Sequence, residues 1–228
     1  GAFGKLGPVW CRALIEAGAV VAVCDHPDAN ESPEICELLN QYGTARIKVF
    51  RGDVLDRDSQ HELRKRVVRD LGPLDVLVNN AGIDNPPKLR ESLRIEDIPK
   101  EDFLSVVNVN LYGVFLVSQI FGSDMVKMGK GSIINIGSLY GSVSPDSSFY
   151  THIESDPPFI KPPAYAASKA GLLQLTRYFA AHWGASGVRV NALSPGGVED
   201  DQDEDFKAKF CTRVPLKRMA LAKDLIGP

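Results

Sequence analysis

The sequence predicts an α/β protein, a doubly wound parallel sheet with helices on both faces. Two observations predict it. Short, continuous apolar runs alternate with amphipathic segments, as buried parallel strands and their covering helices do. The chain also opens with GAFGKLG, glycines at every third position directly before a helical pattern, the shape of a loop folded around a phosphate. At 228 residues, 44% hydrophobic and 24% charged, the chain suffices for one domain of this class.

Each element follows from its local pattern. PVWCRALIEAG (8–18) reads as a helix with proline in its first turn and glycine as its stop. AVVAVCD (19–25) is an apolar strand ending in an acid, SPEICELLNQYG a second helix, and ARIKVFRGDV the next strand. DSQHELRKRVVRDLG is a charged amphipathic helix, followed by the strand LDVLVNNAG. A long helix over 101–128 precedes the strand GSIINIGS (131–138) and an irregular stretch, 139–163. A helix from about Ala164 to Gly184 or Gly187 leads into the last strand, VRVNALSPGG. No repeat or linker divides the chain, so 1–228 reads as a single domain. Both ends are abrupt, and the expectation is a sheet lacking its first and its C-terminal strand.

Bulk properties exclude several classes. A net charge of −3 and a pI near 5.8 leave no basic footprint for nucleic acid. No apolar run approaches the ~20 residues of a membrane span. Cys11, Cys24, Cys36 and Cys211 form no CxxC or Cys/His cluster, which predicts free thiols, a reducing cytoplasmic setting and no metal site.

The glycine loop comprises Gly1, Gly4, Lys5, Leu6 and Gly7, with GxxGxxG spacing. Asp25 ends the next strand, close to the ~20-residue spacing of a ribose-binding acid. Its carboxylate would accept from both ribose hydroxyls and repel a 2′-phosphate, favouring NAD over NADP. A helix cap is the alternative for Asp25, and the nearby Lys5 and His26 keep NADP open.

In PPAYAASKAG, Tyr165 and Lys169 are four residues apart and share a helix face. An ammonium at about 4 Å is worth roughly 4 kcal/mol at intermediate dielectric, or ~3 pKa units, bringing a phenol toward neutrality. Alone, YxxxK reads first as a solvated helix pair, and only its context turns it into a site. NNAG (79–82), NIGS (135–138) and Asn110 in NVNLYG should meet the pair at the sheet's carboxyl edge, where ligands bind.

In these elements the chain resembles the short-chain dehydrogenase/reductase family over essentially its whole length. GxxGxxG, Asp53 in GDV, NNAG, Asn110, Ser138, YAASK and SPGG occur in the family's order. The resemblance implies a Rossmann-type fold and an NAD(P)-dependent oxidoreductase acting on a small alcohol or carbonyl substrate. It makes Tyr165 the general acid/base, with Lys169 lowering its pKa and holding the nicotinamide ribose. Ser138 would orient the substrate oxygen, and Asn110 would anchor a water relaying protons from Lys169. Asp53 would contact the adenine, Asn79 and Gly82 would line the groove, and Pro195–Gly196 would turn beneath the nicotinamide. Val54, Asn80, Ala81 and Val198 complete the implied cofactor set. A homodimer or homotetramer built on helices 101–128 and 164–184 is also implied, with Leu111, Phe115, Leu172 and Phe179 fitting such a face.

Departures from the family carry information too. Ser138 and Tyr165 are 27 residues apart rather than about a dozen, so 139–163 contains an insertion. Tyr150 sits at the usual distance, but Glu154 stands where a lysine is required, so Tyr150 is a decoy. The loop's five prolines and its aromatics Tyr140, Phe149, Tyr150 and Phe159 read as a lid or substrate wall, with a surface decoration as alternative. By the resemblance the acidic run VEDDQDEDF would begin the family's substrate loop, over about 197–215, with a solvated acidic loop as the alternative. The pattern LYG…PD…Y…PP.YxxxKAG resembles a bacterial subgroup linked to surface-sugar or flagellin modification, implying a sugar or sugar-nucleotide hydroxyl as substrate. A 3-oxoacyl-thioester reductase and a non-catalytic family member or inactive fragment stand as rivals.

Overall fold

The structure, a computed structural model, describes residues 1–84 and 92–227. Among these, five strands are all parallel: β1 (Val21–Asp25), β2 (Ile47–Arg51), β3 (Val76–Asn79), β4 (Gly131–Ile136) and β5 (Val188–Leu193). β1 pairs with β2, and β3–β4–β5 form a second ladder. Residues 1–3 join the two at their carboxyl ends. The N–H of Ala2 donates to the Cys24 carbonyl (3.1 Å), and Asn80 Nδ2 donates to the Gly1 carbonyl (2.6 Å).

Seven helices flank the strands: α1 (Gly7–Glu16), α2 (Pro33–Tyr42), α3 (Arg57–Leu71), α4 (Lys100–Val107), α5 (Val114–Met128), α6 (Pro163–Trp183) and α7 (Glu204–Arg213). Their bounds follow from local chemistry. Ser32 and Asp56 cap the backbone N–H groups that open α2 and α3. Gly129 stops α5 at φ 70°, a conformation costly for residues with a Cβ.

Strand alternation distributes the core between two faces. Val21 and Val23 join Cys11, Ile15, Ile35 and Leu38 beneath α1 and α2. On the opposite face, Ala22 and Cys24 join Phe50, Leu63, Leu116 and Ile120 beneath α3 and α5. Ile133 packs against Phe179 of α6, while Ile136 turns to Trp10 and Leu225. Helices therefore cover both faces, as the sequence predicts.

The long helix is not uniform. Asn108–Gly113 winds as a π-helical turn between α4 and α5. Contrary to the expectation from apolar runs, the whole stretch Lys100–Met128 is long and apolar enough to span a bilayer. Its apolar residues Leu116, Ile120 and Met125 are buried in the core.

Residues 139–163 pack against α7. Phe149, Tyr150 and Phe159 are buried with Phe210 and Met219, and Phe206 stacks on the same group. His152 Nε2 lies 2.8 Å from Asp203 Oδ1, an ion-pair contact rather than an aligned hydrogen bond. The decoy Tyr150 stays in this aromatic cluster.

Candidate active site

The glycine loop stands at the carboxyl ends of β1 and β3, where the two ladders part. Close packing explains two of its glycines. A Cβ on Gly1 would lie 2.6 Å from the Ala81 Cα, and one on Gly7 would lie 2.2 Å from the Ala2 carbonyl oxygen. Gly4 has only the Gly1 carbonyl nearby, at 3.5 Å. Leu6, at the start of α1, provides no side-chain cap; the Gly7 N–H turns back to the Gly4 carbonyl (3.2 Å) and Pro8 has none, so the loop presents an anion with the positive end of the helix rather than a row of open donors. This cradle fits a dinucleotide pyrophosphate.

Around it stand the other predicted groups. Asp25 accepts from the N–H of Phe3 and of His26, each at 2.7 Å, which holds its carboxylate at the end of β1. Asp53 accepts from Leu55 N (2.8 Å), and its own N–H donates to Ser59 Oγ (3.1 Å). Val54 packs against Gly113 of the π turn. Asn80 carries two bonds, to Gly1 and from Trp10 Nε1 (2.7 Å), and so fixes the loop and α1 to β3. Pro195 accepts from Leu139 N (2.9 Å), Gly196 is open, and Val198 pairs with Ala220 and touches the cluster that contains Leu6.

Some expectations change. Asn79 does not line the groove: its amide donates to Ser118 Oγ (2.9 Å) and Asn135 Oδ1 (2.8 Å) in the core, and Asn135 donates onward to Thr176 (2.9 Å). Lys5 is committed to Asp200 and Asp201 of the acidic run, bridging the glycine loop to the substrate loop. His26 lies between Asp28 (3.7 Å) and Asp53 (3.8 Å). The cation that sequence reading missed is Arg51, opposite Asp25 in the β1–β2 register. Its guanidinium lies over the Phe3 ring at 4.6 Å and reaches Glu31 at 3.2 Å. The signal was there, in the last residue of β2 before GD.

At the other end of the cleft, α6 delivers Tyr165 and Lys169 one turn apart. Lys169 is 5% exposed, donates to the Ile136 carbonyl (2.7 Å), and lies 5.7 Å from the Tyr165 ring centre. Ser138, buried at the end of β4, accepts from Tyr140 N (3.2 Å) and stands beside Tyr165. Asn110 is fully buried in the π turn. Its Oδ1 accepts from Ile83 N (2.8 Å), and its Nδ2 donates to Ile83 O (3.0 Å) and Ser168 Oγ (3.1 Å). The extra residue of a π turn re-aims this side chain into the cleft wall.

The electrostatics differ from the expected phenol titrating near neutrality. Burial pushes Tyr165 up to about 12, aided by the Asp84 carboxylate and opposed by Ser138. Burial pulls Lys169 down to about 8, with Asp84 opposing. Lys169 sits against a backbone carbonyl rather than the phenol oxygen, and a carboxylate faces both groups, so the phenol gains no net relief. Of the two groups the lysine therefore gives up its proton first, near 8.

A parallel α/β fold with a phosphate cradle at its switch point and a Ser–Tyr–Lys group beside it defines a nicotinamide-dependent alcohol/ketone oxidoreductase. The family model described as enoyl-(acyl carrier protein) reductase matches residues 6–227. The chain is 33% identical to 2-dehydro-3-deoxy-D-gluconate 5-dehydrogenase of Bacillus subtilis, over 97% of this chain and 80% of that protein. It is 33% identical to galactitol 2-dehydrogenase of Rhizobium johnstonii, over 92% of this chain and 74% of that one. A short-chain dehydrogenase from Leptospira borgpetersenii, solved with bound NAD+, superposes with a TM-score of 0.82 at 30% identity, over 100% of this chain and 80% of that one. The chain belongs to the short-chain dehydrogenase/reductase family. It is an NAD(P)-dependent oxidoreductase acting on CH–OH groups.

Proposed function

We propose that the protein interconverts a secondary alcohol and a ketone on a sugar or polyol, with NAD preferred over NADP. The observation that carries the chemistry is the convergence of Ser138, Tyr165, Lys169 and Asn110 on the cleft that the glycine loop borders. Ser138 donates to and orients the substrate oxygen. Tyr165 takes the hydroxyl proton in oxidation and returns it in reduction, and Lys169 carries the shared proton onward. When bound, the nicotinamide accepts or supplies the hydride. One alcohol thus yields one ketone, one proton and one hydride. Asn110 holds the Ile83 backbone and Ser168 behind Lys169 and keeps a route open for a relaying water.

Asp25 supports NAD, since a fixed carboxylate at the end of β1 would repel a 2′-phosphate, while Lys5 lies against Asp200 and Asp201. The same residue argues against an NADPH-preferring oxoacyl reductase. The polyhydroxylated substrates named for the two relatives support the sugar-type reading, as does the LYG…YxxxKAG pattern of the surface-sugar subgroup. Residues 139–163 and α7 together form the substrate wall, and the single domain 1–228 contains the whole site.

We place self-association on the face formed by the π turn, the start of α5 and α6. Leu111, Tyr112, Phe115, Leu175 and Tyr178 line a groove of about 520 Å³ there, with Tyr178 62% exposed. Leu172 and Phe179, expected on this face, are instead core residues at 1% and 4% exposure. Four free cysteines, two of them raised to about 11 by burial and so unreactive, suit the cytoplasm. The test is a screen of alditols, sugars, sugar acids and sugar nucleotides followed by reduced-nicotinamide absorbance. Turnover that is lost in Tyr165→Phe supports the reading. Turnover of none of these classes, or near-normal activity in the variant, would overturn it.

A further inference from the structure

We propose that Lys161, supplied by the inserted stretch, is the residue that selects a substrate bearing a carboxylate. This inference rests on the alcohol/ketone reading above and names the substrate class within it. Lys161, Tyr165 and Lys169 follow one another at intervals of four, and Pro162 and Pro163 fix the chain between the first of them and α6. The Lys161 side chain is only 8% exposed, rare for a lysine unless it is paired. Its ammonium lies 5.2 Å from the Tyr165 ring centre and 6.0 Å from that of Tyr140, and 2.5 Å from Asp84 Oδ2. The two rings hold the cation in place by their faces without accepting a conventional hydrogen bond.

A purely structural role fits poorly. The Asp84 partner is 38% exposed, and an ion pair with one exposed member adds little stability, so stability alone does not call for a buried lysine beside the catalytic tyrosine. The neighbouring charges point the same way. Among the described residues, the Lys161 and Lys169 ammonium groups both stand by the Tyr165 ring, and the Asp84 carboxylate acts on both. An ammonium has three donors, and among the described residues Asp84 engages one of those of Lys161. A carboxylate on the substrate would supply a further acceptor and a further negative charge. With the reacting carbon at Ser138 and Tyr165, the acid end of a short hydroxy-acid chain lies toward Lys161.

The experiment compares kcat/KM for aldonic acids and for alditols of the same carbon skeleton, D-gluconate against D-glucitol and D-xylonate against xylitol. The comparison is made in the parent, Lys161→Met and Lys161→Arg. The parent is expected to prefer the acids. Lys161→Met should reduce the acid-to-alditol ratio by about 10- to 100-fold, the worth of one charge-assisted hydrogen bond, mainly through KM for the acid. Lys161→Arg should restore most of it. A parent without acid preference overturns the inference, and so does a ratio unchanged in Lys161→Met; either result leaves the oxidoreductase reading standing. Failure of every alcohol and ketone to turn over overturns that reading and this inference together. The parent comparison needs no substitution, so it decides even if a variant fails to fold.

Discussion

At the scale of single residues, the chemistry depends on which of two neighbouring groups holds a proton. Lys169 releases its proton near 8. In the proposed mechanism, oxidation needs the neutral lysine as the onward proton acceptor and reduction the charged one as donor. We therefore expect kcat/KM to rise with pH through about 8 for oxidation and to fall through it for reduction. A flat profile in both directions from about pH 6 to about pH 10 would remove this assignment. Stability carries the opposite imprint of each group. Lys169 is held below its ordinary 10.5, so the unfolded chain binds more protons between about 8 and 10.5, and its contribution rises with pH there. Tyr165 is held above 10, so its contribution falls as pH rises from 10 toward about 12. Asp84 raises both groups, and Asp84→Asn should move the rate profile to lower pH; an unmoved profile would show that Asp84 does not act on the pair. At the far end of the cleft, Asp25→Asn should cut the NAD-to-NADP ratio of kcat/KM by about 10- to 100-fold, since a charged acceptor of ribose hydroxyls is lost. A preserved ratio would shift the choice of cofactor to another group, with Arg51 the first to examine.

At the scale of elements, the inserted stretch and α7 behave as one body because their aromatic side chains interlock. Phe149 meets Phe206 at 6.1 Å and Phe210 at 5.7 Å, ring centre to ring centre, both edge-on. Phe149→Ala removes a buried ring worth roughly 3–5 kcal/mol in a tight core. We expect backbone hydrogen exchange to quicken together over 139–163 and 204–213; quickening in one alone would show that they are independent. This joint body was only partly legible in the sequence. Prolines and aromatics marked a structured loop, but its docking on α7 joins residues some 50 apart in the chain. Helix and strand limits were far more legible, because Ser32, Asp56 and Gly129 act within one turn of where they stand. The π turn left no such mark, since a single extra residue barely disturbs an apolar period. Asn79 and Asn80 show the limit at a strand end. Adjacent residues point to opposite faces, so one closes a core network while the other clamps the glycine loop. Composition does not reveal which does which. Lys161 and Asp84, 77 residues apart, were invisible as a pair for the same reason as the aromatic docking.

At the scale of the whole molecule, the proposed cofactor cleft borders the carboxyl ends of both ladders. β1–β2 and β3–β4–β5 share the core beneath α3 and α5, and at the carboxyl edge residues 1–3 and Asn80 carry hydrogen bonds between them. On the proposed reading a dinucleotide would lie along the glycine loop and Asp25 on one side and along Ala81 and Gly82 on the other, touching both ladders. Binding should then stabilise the fold by mass action. With NADH at about 100 times its Kd, mass action contributes about 2.7 kcal/mol. For a chain of this length each kcal/mol is worth about 2–4 °C, so the melting temperature should rise by roughly 5–10 °C. Asn80→Ala tests whether the clamp is part of that coupling. It leaves the Trp10 N–H and the Gly1 carbonyl without their partner, at about 1–3 kcal/mol for each group left buried. The free variant should melt several degrees lower. Its rise with NADH should also be smaller than the parent's at the same ligand concentration, because the loosened loop weakens binding. A variant that melts lower yet gains as much from NADH would show that Asn80 braces the fold without organising the cofactor cradle.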